Sequence, residues 1–506
     1  MVAALLRVVH GGMQDSRLLC RKGQPNINFF VKAFVRAGRF TTQFARVDFD
    51  TLPRLGGTST VTLPRKGHLI SRVYLVTTMP DIGAVQREAQ AAQNFVGPTF
   101  GWTNSLGHAL ITNATLTIGG ARVEQLDGRL MEVMDEFYSP LEKQELTNRL
   151  LQRNPTNYSG TVGIQSVTTA VTPLPFWFCG DAGAFLPIDA IQAEQVKLSI
   201  TYAPLAALYT STARVQVPPN TVAAGGDAYF PLAGSPFYVS DPSGVEIAGL
   251  TGDPTITTRV SPIPGTQMPL NLELGDTYFM VEYVYLDTPE ANRFRMADIQ
   301  IPVIQHYAFE PVDTKGSSTA TCPIKVPNPT RNLFFYLQRF DAQYYNAPFL
   351  ATRDLGDISG TPWWPNATRI DPRVHKELVP GFAFRRSEPL SGIKLIYEGN
   401  MTRYSTDAPS LFRSLLPSLD MRKSPWVNRY YYTLPFGVNS GHIPKSLPSG
   451  EANLDKIINI KMQLDLHPYS GYVDPNAVPR YLVYIWAETY NILRVYGGRA
   501  GMMFGY

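Results

Sequence analysis

Asp48 and Asp50 stand two residues apart in the run ARVDFD, so a pleated strand would set both carboxylates on one face. A retaining glycosidase uses such a pair, with its carboxyl groups about 5 Å apart. Arg46 shares that face, however, while Ala45, Val47 and Phe49 share the other. The simpler expectation is a solvated strand face opposite an apolar one. His10, His68, His108, His306, His375, His442 and His467 show neither i,i+4 nor H-x-H spacing, and a zinc site needs three or four converging ligands. Each histidine is expected at the surface or as a satisfied core residue. The chain has no phosphate-loop, H-E-x-x-H, G-x-S-x-G or C-x-x-C pattern. The reading is therefore of a protein that is not an enzyme, with no catalytic, cofactor-binding or metal-binding residues.

Three features could bind rather than react. Trp363 and Trp364, beside Asn366, Arg369 and Asp371, could stack on the apolar face of a sugar, or anchor a loop or a subunit contact. The sequons at Asn113, Asn157, Asn366 and Asn400 match the glycosylation pattern, but chance supplies several in a long chain, and they are expected to be unmodified. Arg7, Arg17, Arg21, Lys22, Lys32, Arg36 and Arg39 face only Asp15 near the N-terminus. That basic arm lacks the interleaved aromatics of a nucleic-acid groove and is expected to dock inner partners, with Arg7, Arg17, Arg21 and Lys22 as its candidates.

Whatever these residues do, strands must hold them. Hydrophobic residues make up 44% of the 506 and charged ones only 17%, below the roughly 25% of an average domain, so much surface should be hidden against neighbours. The net charge of +4 is small for the length and demands no nucleic acid. Val196, Leu198, Ile200 and Tyr202 alternate with polar residues, as do Ile458, Ile460, Met462, Leu464 and Leu466, the mark of half-buried strands. Further strands are expected at Ala45–Phe49, Ser59–Leu63, Leu69–Val76, Ala114–Ile118, Phe279–Leu286, Leu333–Leu337, Ile393–Tyr397, Tyr430–Leu434 and Leu482–Trp486. One helix is expected over Arg129–Leu151, where Leu130, Val133, Met134 and Phe137 form a stripe interrupted by Pro140.

Frequent Gly and Pro between short strands argue for antiparallel sandwiches, and the length for two domains. The expected division is an arm at 1–27, a first sandwich at 28–287 with an insertion at 204–275, a polar crossover at 288–303, and a second sandwich at 304–506 with an insertion at 341–389; both insertions are expected to be outward loops. Cys20, Cys179 and Cys322 have no paired spacing, which favours a reducing compartment. No basic region precedes the apolar start, and no later run approaches 18 apolar residues, so neither a signal peptide nor a membrane span is expected.

Several segments resemble the double jelly-roll major capsid proteins of nucleocytoplasmic large DNA viruses: GGMQD at Gly11–Asp15 and GQPNINFFVK at Gly23–Lys32; LTIGGARVEQ at Leu116–Gln125; LPFWFCGDAGAFLPIDAIQAEQVKLSI at Leu174–Ile200; VEYVYLDTPEANRF at Val281–Phe294; PSGEAN at Pro448–Asn453; and ETYNILRVYGGRAGMMFGY at Glu488–Tyr506. The Leu174–Ile200 segment is the most specific. Where that family commonly has a Cys and a Ser-Arg pair, this chain has Ala452 and Leu454-Asp455. The resemblance implies an all-β fold of two tandem eight-stranded jelly rolls with long insertions and a few short helices. It also implies a homotrimeric, pseudo-hexagonal capsomer in an icosahedral virion shell, assembled in the host cytoplasm. The implied contacts are neighbouring capsomers, minor capsid proteins and an internal membrane surface, with no specific nucleic acid, small-molecule substrate or cofactor. A glycan-binding β-sandwich module built around Trp363 and Trp364 is the alternative.

Overall fold

A computed structural model describes residues 39–82, 99–153, 168–212, 215–216, 227–228, 272–340, 348–349, 351, 388–398, 401–425, 429–468 and 478–505. Among these residues sixteen strands build two sandwiches. The first contains β1 (Phe40–Asp48), β2 (Thr58–Thr62), β3 (Leu69–Met79), β4 (Ile111–Ile118), β5 (Ala121–Asp127), β6 (Thr168–Pro173), β7 (Val196–Tyr202) and β8 (Thr277–Leu286). The second contains β9 (Ile299–Ala308), β10 (Thr319–Ile324), β11 (Thr330–Arg339), β12 (Leu390–Tyr397), β13 (Met401–Thr406), β14 (Tyr431–Pro435), β15 (Ile460–Leu466) and β16 (Tyr481–Tyr496). A further strand, β17 (Arg499–Met502), folds back on the end of β16.

The sheet orders are β1-β8-β3-β6 and β2-β7-β4-β5 in the first sandwich, β9-β16-β11-β14 and β10-β15-β12-β13 in the second. Counting strands from each start, both sandwiches pair first-eighth-third-sixth against second-seventh-fourth-fifth. This is the jelly-roll order, present twice in one chain. The helices are short: α1 (Leu106–Ala109), α2 (Gly128–Tyr138), α3 (Gln144–Leu150), α4 (Thr288–Met296) and α5 (Leu416–Asp420), the last continuing a π turn at Leu411–Leu415.

Alternation decides which face of each strand is buried. On β7 the residues Val196, Leu198, Ile200 and Tyr202 are all buried, and on β15 so are Ile460, Met462, Leu464 and Leu466. At about 1.5–3 kcal/mol for each large side chain, one such face contributes several kcal/mol towards closing its sandwich. Gly119 and Gly120, at φ 60° and 86°, make the turn joining β4 to β5, a left-handed conformation that side chains disfavour. The expected helix is α2, capped where the Asp127 carboxylate accepts from the Leu130 backbone N–H, and followed after Pro140 by a 3₁₀ turn and α3.

Three expectations need correction. Ile458 is 72% exposed and lies outside β15, because Asn459 at φ 55° breaks the extended backbone before Ile460. The crossover at 288–303 is shorter and helical: Asp287 caps α4, with Pro289 in its first turn, and β9 already begins at Ile299. The strand expected at Ala45–Phe49 starts earlier and stops at Asp48, although Phe49 still packs inward, 4.6 Å from the Phe279 ring. Part of the 204–275 insertion is itself strand, Tyr209–Thr212 pairing with Thr99–Trp102.

Candidate functional site: an ion-paired seam between two sandwiches

The two sandwiches meet through α2, which follows β5 of the first and lies against the β9-β16-β11-β14 sheet of the second. Phe137 stacks on Phe334 with ring centroids 5.5 Å apart, and Tyr138 meets the same ring edge-on. Gly128 begins this helix for a steric reason: a Cβ there would lie 2.2 Å from the His108 carbonyl oxygen and 2.5 Å from that of Ile111. The Trp486 indole N–H donates to Asp127, and the Arg129 guanidinium donates to Gln338 and lies over the Tyr484 ring.

Two buried charge clusters cross this seam. In the first, Glu132 of α2 accepts from the Arg153 guanidinium at 2.6 Å, from Ser105 at 2.9 Å and from Arg429, which precedes β14 of the second sandwich; His108 Nδ1 lies 2.6 Å away. Arg153 also donates to Asp135 at 2.6 Å. In the second cluster His306 of β9 sits with Nδ1 2.8 Å from Glu124 of β5 and Nε2 3.8 Å from Glu488 of β16. The Tyr138 hydroxyl and Asn332 both donate to Glu488.

Burial alone would raise the Glu132 carboxyl, but Arg153, Arg429 and His108 outweigh it and hold it well below the usual carboxylate range. The same contest lowers Asp135, mainly through Arg153, and Glu488, mainly through Arg331 and then His306. Asp127 goes the other way, because burial outweighs its hydrogen bonds from Leu130 and Trp486. Carboxylates held ionised by fixed cations are poor proton shuttles near neutrality. A nearby cavity of about 260 Å³, lined in part by His108, Arg129, Gln338 and Phe349, has no carboxylate on its walls among the described residues. The chemistry is that of a clamp.

The C-terminal hairpin adds a second tie. The Ala500 N–H donates to Glu194 of the first sandwich at 3.0 Å, and the Ala193 N–H donates to the Gly498 carbonyl at 2.9 Å.

Arg46 joins Asp48 at 2.7 Å and grips Asp276 with both terminal nitrogens, while Asp50 accepts from the backbone and hydroxyl of Thr62. These acids are engaged as strand-edge fasteners, the solvated face expected of them. Half-buried His68 accepts from the Leu286 N–H, and the ring of exposed His442 donates to the Met421 carbonyl. Burial pushes the thiols of Cys179 and Cys322 up to about 12. Asn113 sits half-buried on β4, accepting from Gln125. Among the described residues no group of three or more His, Cys, Asp or Glu is arranged to hold a metal, and no helix is long and apolar enough to cross a membrane. Arg7, Arg17, Arg21, Lys22, Cys20, Asn157, Trp363, Trp364, Asn366, Asn400, His10 and His375 lie outside the described residues.

Sequence reasoning missed the seam. Its pairs are separated by 297 positions for Arg429 and Glu132 and by 182 for His306 and Glu124. The local hint was Glu132 and Glu136 embedded in the apolar stripe of α2, where a solvated helix would turn such acids outward.

The family model for the major capsid protein N-terminus matches residues 28–234, and that for the large eukaryotic DNA virus major capsid protein matches 293–501. The chain is 22% identical to the major capsid protein of Pyramimonas orientalis virus over the full length of both. It is 27% identical to probable capsid protein 4 of Acanthamoeba polyphaga mimivirus over 40% of this chain, and spans 38% of that protein. A chain of the solved PBCV-1 virus capsid superposes with a TM-score of 0.66 at 16% identity, covering 95% of this chain and all of that one. With both halves matched and the jelly-roll order repeated, the chain belongs to the double jelly-roll major capsid proteins of nucleocytoplasmic large DNA viruses.

Proposed function

We propose that this protein is the structural building block of an icosahedral virion shell, working as a homotrimer in which six jelly rolls form a pseudo-hexagonal capsomer. The observation that carries this is the repeated strand order, with two sandwiches clamped side by side through a head-to-tail seam. A head-to-tail contact propagates, and it closes into a ring when the rotation allows. The outside retains large exposed apolar side chains, among them Phe44 (49%), Leu415 (52%), Leu419 (60%) and Met296 (88%), as a surface awaiting partners would.

The proposed division of labour is an arm at 1–27, a first roll at 28–287, a helical crossover at 288–298 and a second roll from Ile299 to 506. The arm, through Arg7, Arg17, Arg21 and Lys22, contacts minor capsid proteins or an anionic inner membrane surface. Insertions 204–275 and 341–389 face neighbouring capsomers or the exterior. Assembly takes place in the host cytoplasm and needs no catalysis. Native mass spectrometry of the full chain tests the core of this reading: the expected species has three times the 56.2 kDa monomer mass, and a strictly monomeric protein under mild conditions would sink it. Removing residues 1–22 is expected to leave that trimer intact and to weaken vesicle or inner-protein binding.

A further inference from the structure

Because the sandwiches share one strand order, each surface of one has a counterpart on the other. In the second sandwich the outward face of the third and eighth strands is occupied. Phe334 and Tyr336 of β11 and Trp486 of β16, all buried, lie under α2, the helix that the first sandwich carries between its fifth and sixth strands. In the first sandwich the counterpart face is Tyr74 of β3 and Tyr278 and Met280 of β8, flanked by Phe44 of β1. Met280 pairs with Tyr74 across the sheet, and the Phe44 ring is 6.2 Å from that of Tyr74. The parallel extends to a cation on a tyrosine: Arg46 lies 4.0 Å over Tyr278, as Arg129 lies 4.7 Å over Tyr484. Yet Phe44 is 49% exposed and Tyr74, Tyr278 and Met280 are only half-buried. The same aromatic face is covered in one sandwich and open in the other.

The helical element has the complementary imbalance. Between its fifth and sixth strands the second sandwich carries the Leu411–Leu415 turn and α5. Phe412 and Arg413 anchor it from below, both 1% exposed, with Arg413 lying 4.4 Å over the Tyr430 ring. Leu415 and Leu419, one turn apart and so on one side, are 52% and 60% exposed. In the first sandwich the corresponding helix spends its aromatic end on a sheet; here, among the described residues, no sheet covers the corresponding leucines.

We infer that the Leu415–Leu419 side of one copy docks on the Phe44–Tyr74–Met280 face of a second copy, repeating between chains the contact that α2 makes within the chain. One chain has used the helix of its first roll and the sheet of its second; the sheet of its first and the helix of its second are left over, and they are complementary halves of the same contact. Alternating the two versions of this contact generates a closed ring without any other surface. The inference rests on the trimer reading and adds to it the pair of faces that seals the ring.

Mixing two variants of the full chain that each add one cysteine to the native Cys20, Cys179 and Cys322, Phe44→Cys and Leu415→Cys, tests the pairing, since a disulfide between the two added thiols can form only across copies. Mild oxidation of the mixture is expected to give a band of twice the monomer mass on a non-reducing gel, absent when either variant is oxidised alone. In parallel, Leu415→Glu/Leu419→Glu is expected to weaken trimerisation about tenfold or more, while its thermal transition stays that of a folded monomer. A trimer that persists in the glutamate variant, or cysteine variants that trimerise without cross-linking, would overturn the face assignment and leave the trimer standing. If the glutamate variant fails to fold, the cysteine mixture alone decides. A wild-type chain that never trimerises would remove both.

Discussion

The inside of each sandwich and the seam between them are equally buried and chemically opposite. Inside, Leu198, Leu116, Phe335 and Leu464 belong to a buried hydrophobic cluster, and cohesion is additive and non-directional. In the seam, Glu132, Arg153, Arg429, Glu124, His306 and Glu488 meet one another, and each has few acceptable positions. Apolar faces can slide and still remain buried; a buried ion that slides loses its partner while staying desolvated. The seam thus sets the orientation of two bodies that are each stable for other reasons.

Breaking that contrast at its strongest point means emptying a core. Phe335→Ala is expected to cost about 3–5 kcal/mol, lowering the denaturation midpoint of the second sandwich, as followed by Trp fluorescence. Arg429→Ala should cost a comparable or slightly smaller amount, about 3–5 kcal/mol, because Glu132 stays buried with one cation fewer. Its signature differs: the sandwiches should keep their strand signal in circular dichroism while proteolysis between them accelerates. Equal loss of strand signal in both variants would show that seam and core are one cooperative unit.

Acid should loosen the seam before the cores. Glu132, Asp135 and Glu488 are held lower in the folded protein than in the unfolded chain. Their contribution is therefore present above the ordinary carboxylate value of about 4 and is lost as pH falls through the folded-state values. Asp127, raised in the fold, works in the opposite sense and offsets part of that loss. Denaturant titrations from pH 7 to pH 3 are expected to show stability falling only below about pH 4, and a flat profile would remove the seam from the account. The smallest effect belongs to the exposed pair of Arg149 and Glu145 on α3, where Arg149→Ala should change stability by about 0.3–0.5 kcal/mol at most.

What could be read from the sequence follows the same division. Strands with one wet and one dry face announced themselves, β7 and β15 most clearly. Strand β13 did not, since Met401–Thr406 is a sheet edge with no buried residue, and neither did β6, a Thr-rich run ending in Pro173. Asn459 could not be foreseen to adopt a left-handed backbone and detach Ile458. The seam was illegible for a stronger reason: ion pairs hundreds of positions apart leave no period, and Glu132 looks like any helix glutamate until the second sandwich arrives.

The C-terminal hairpin bears on the timing of synthesis. Because Gly498 and Ala500 bond to Ala193 and Glu194, the first sandwich waits for one of its fasteners until residues as much as 306 positions further along the chain have been made. A nascent chain can close each sandwich as it emerges and pair the two through the seam, and the C-terminal clasp is then added late to that pairing.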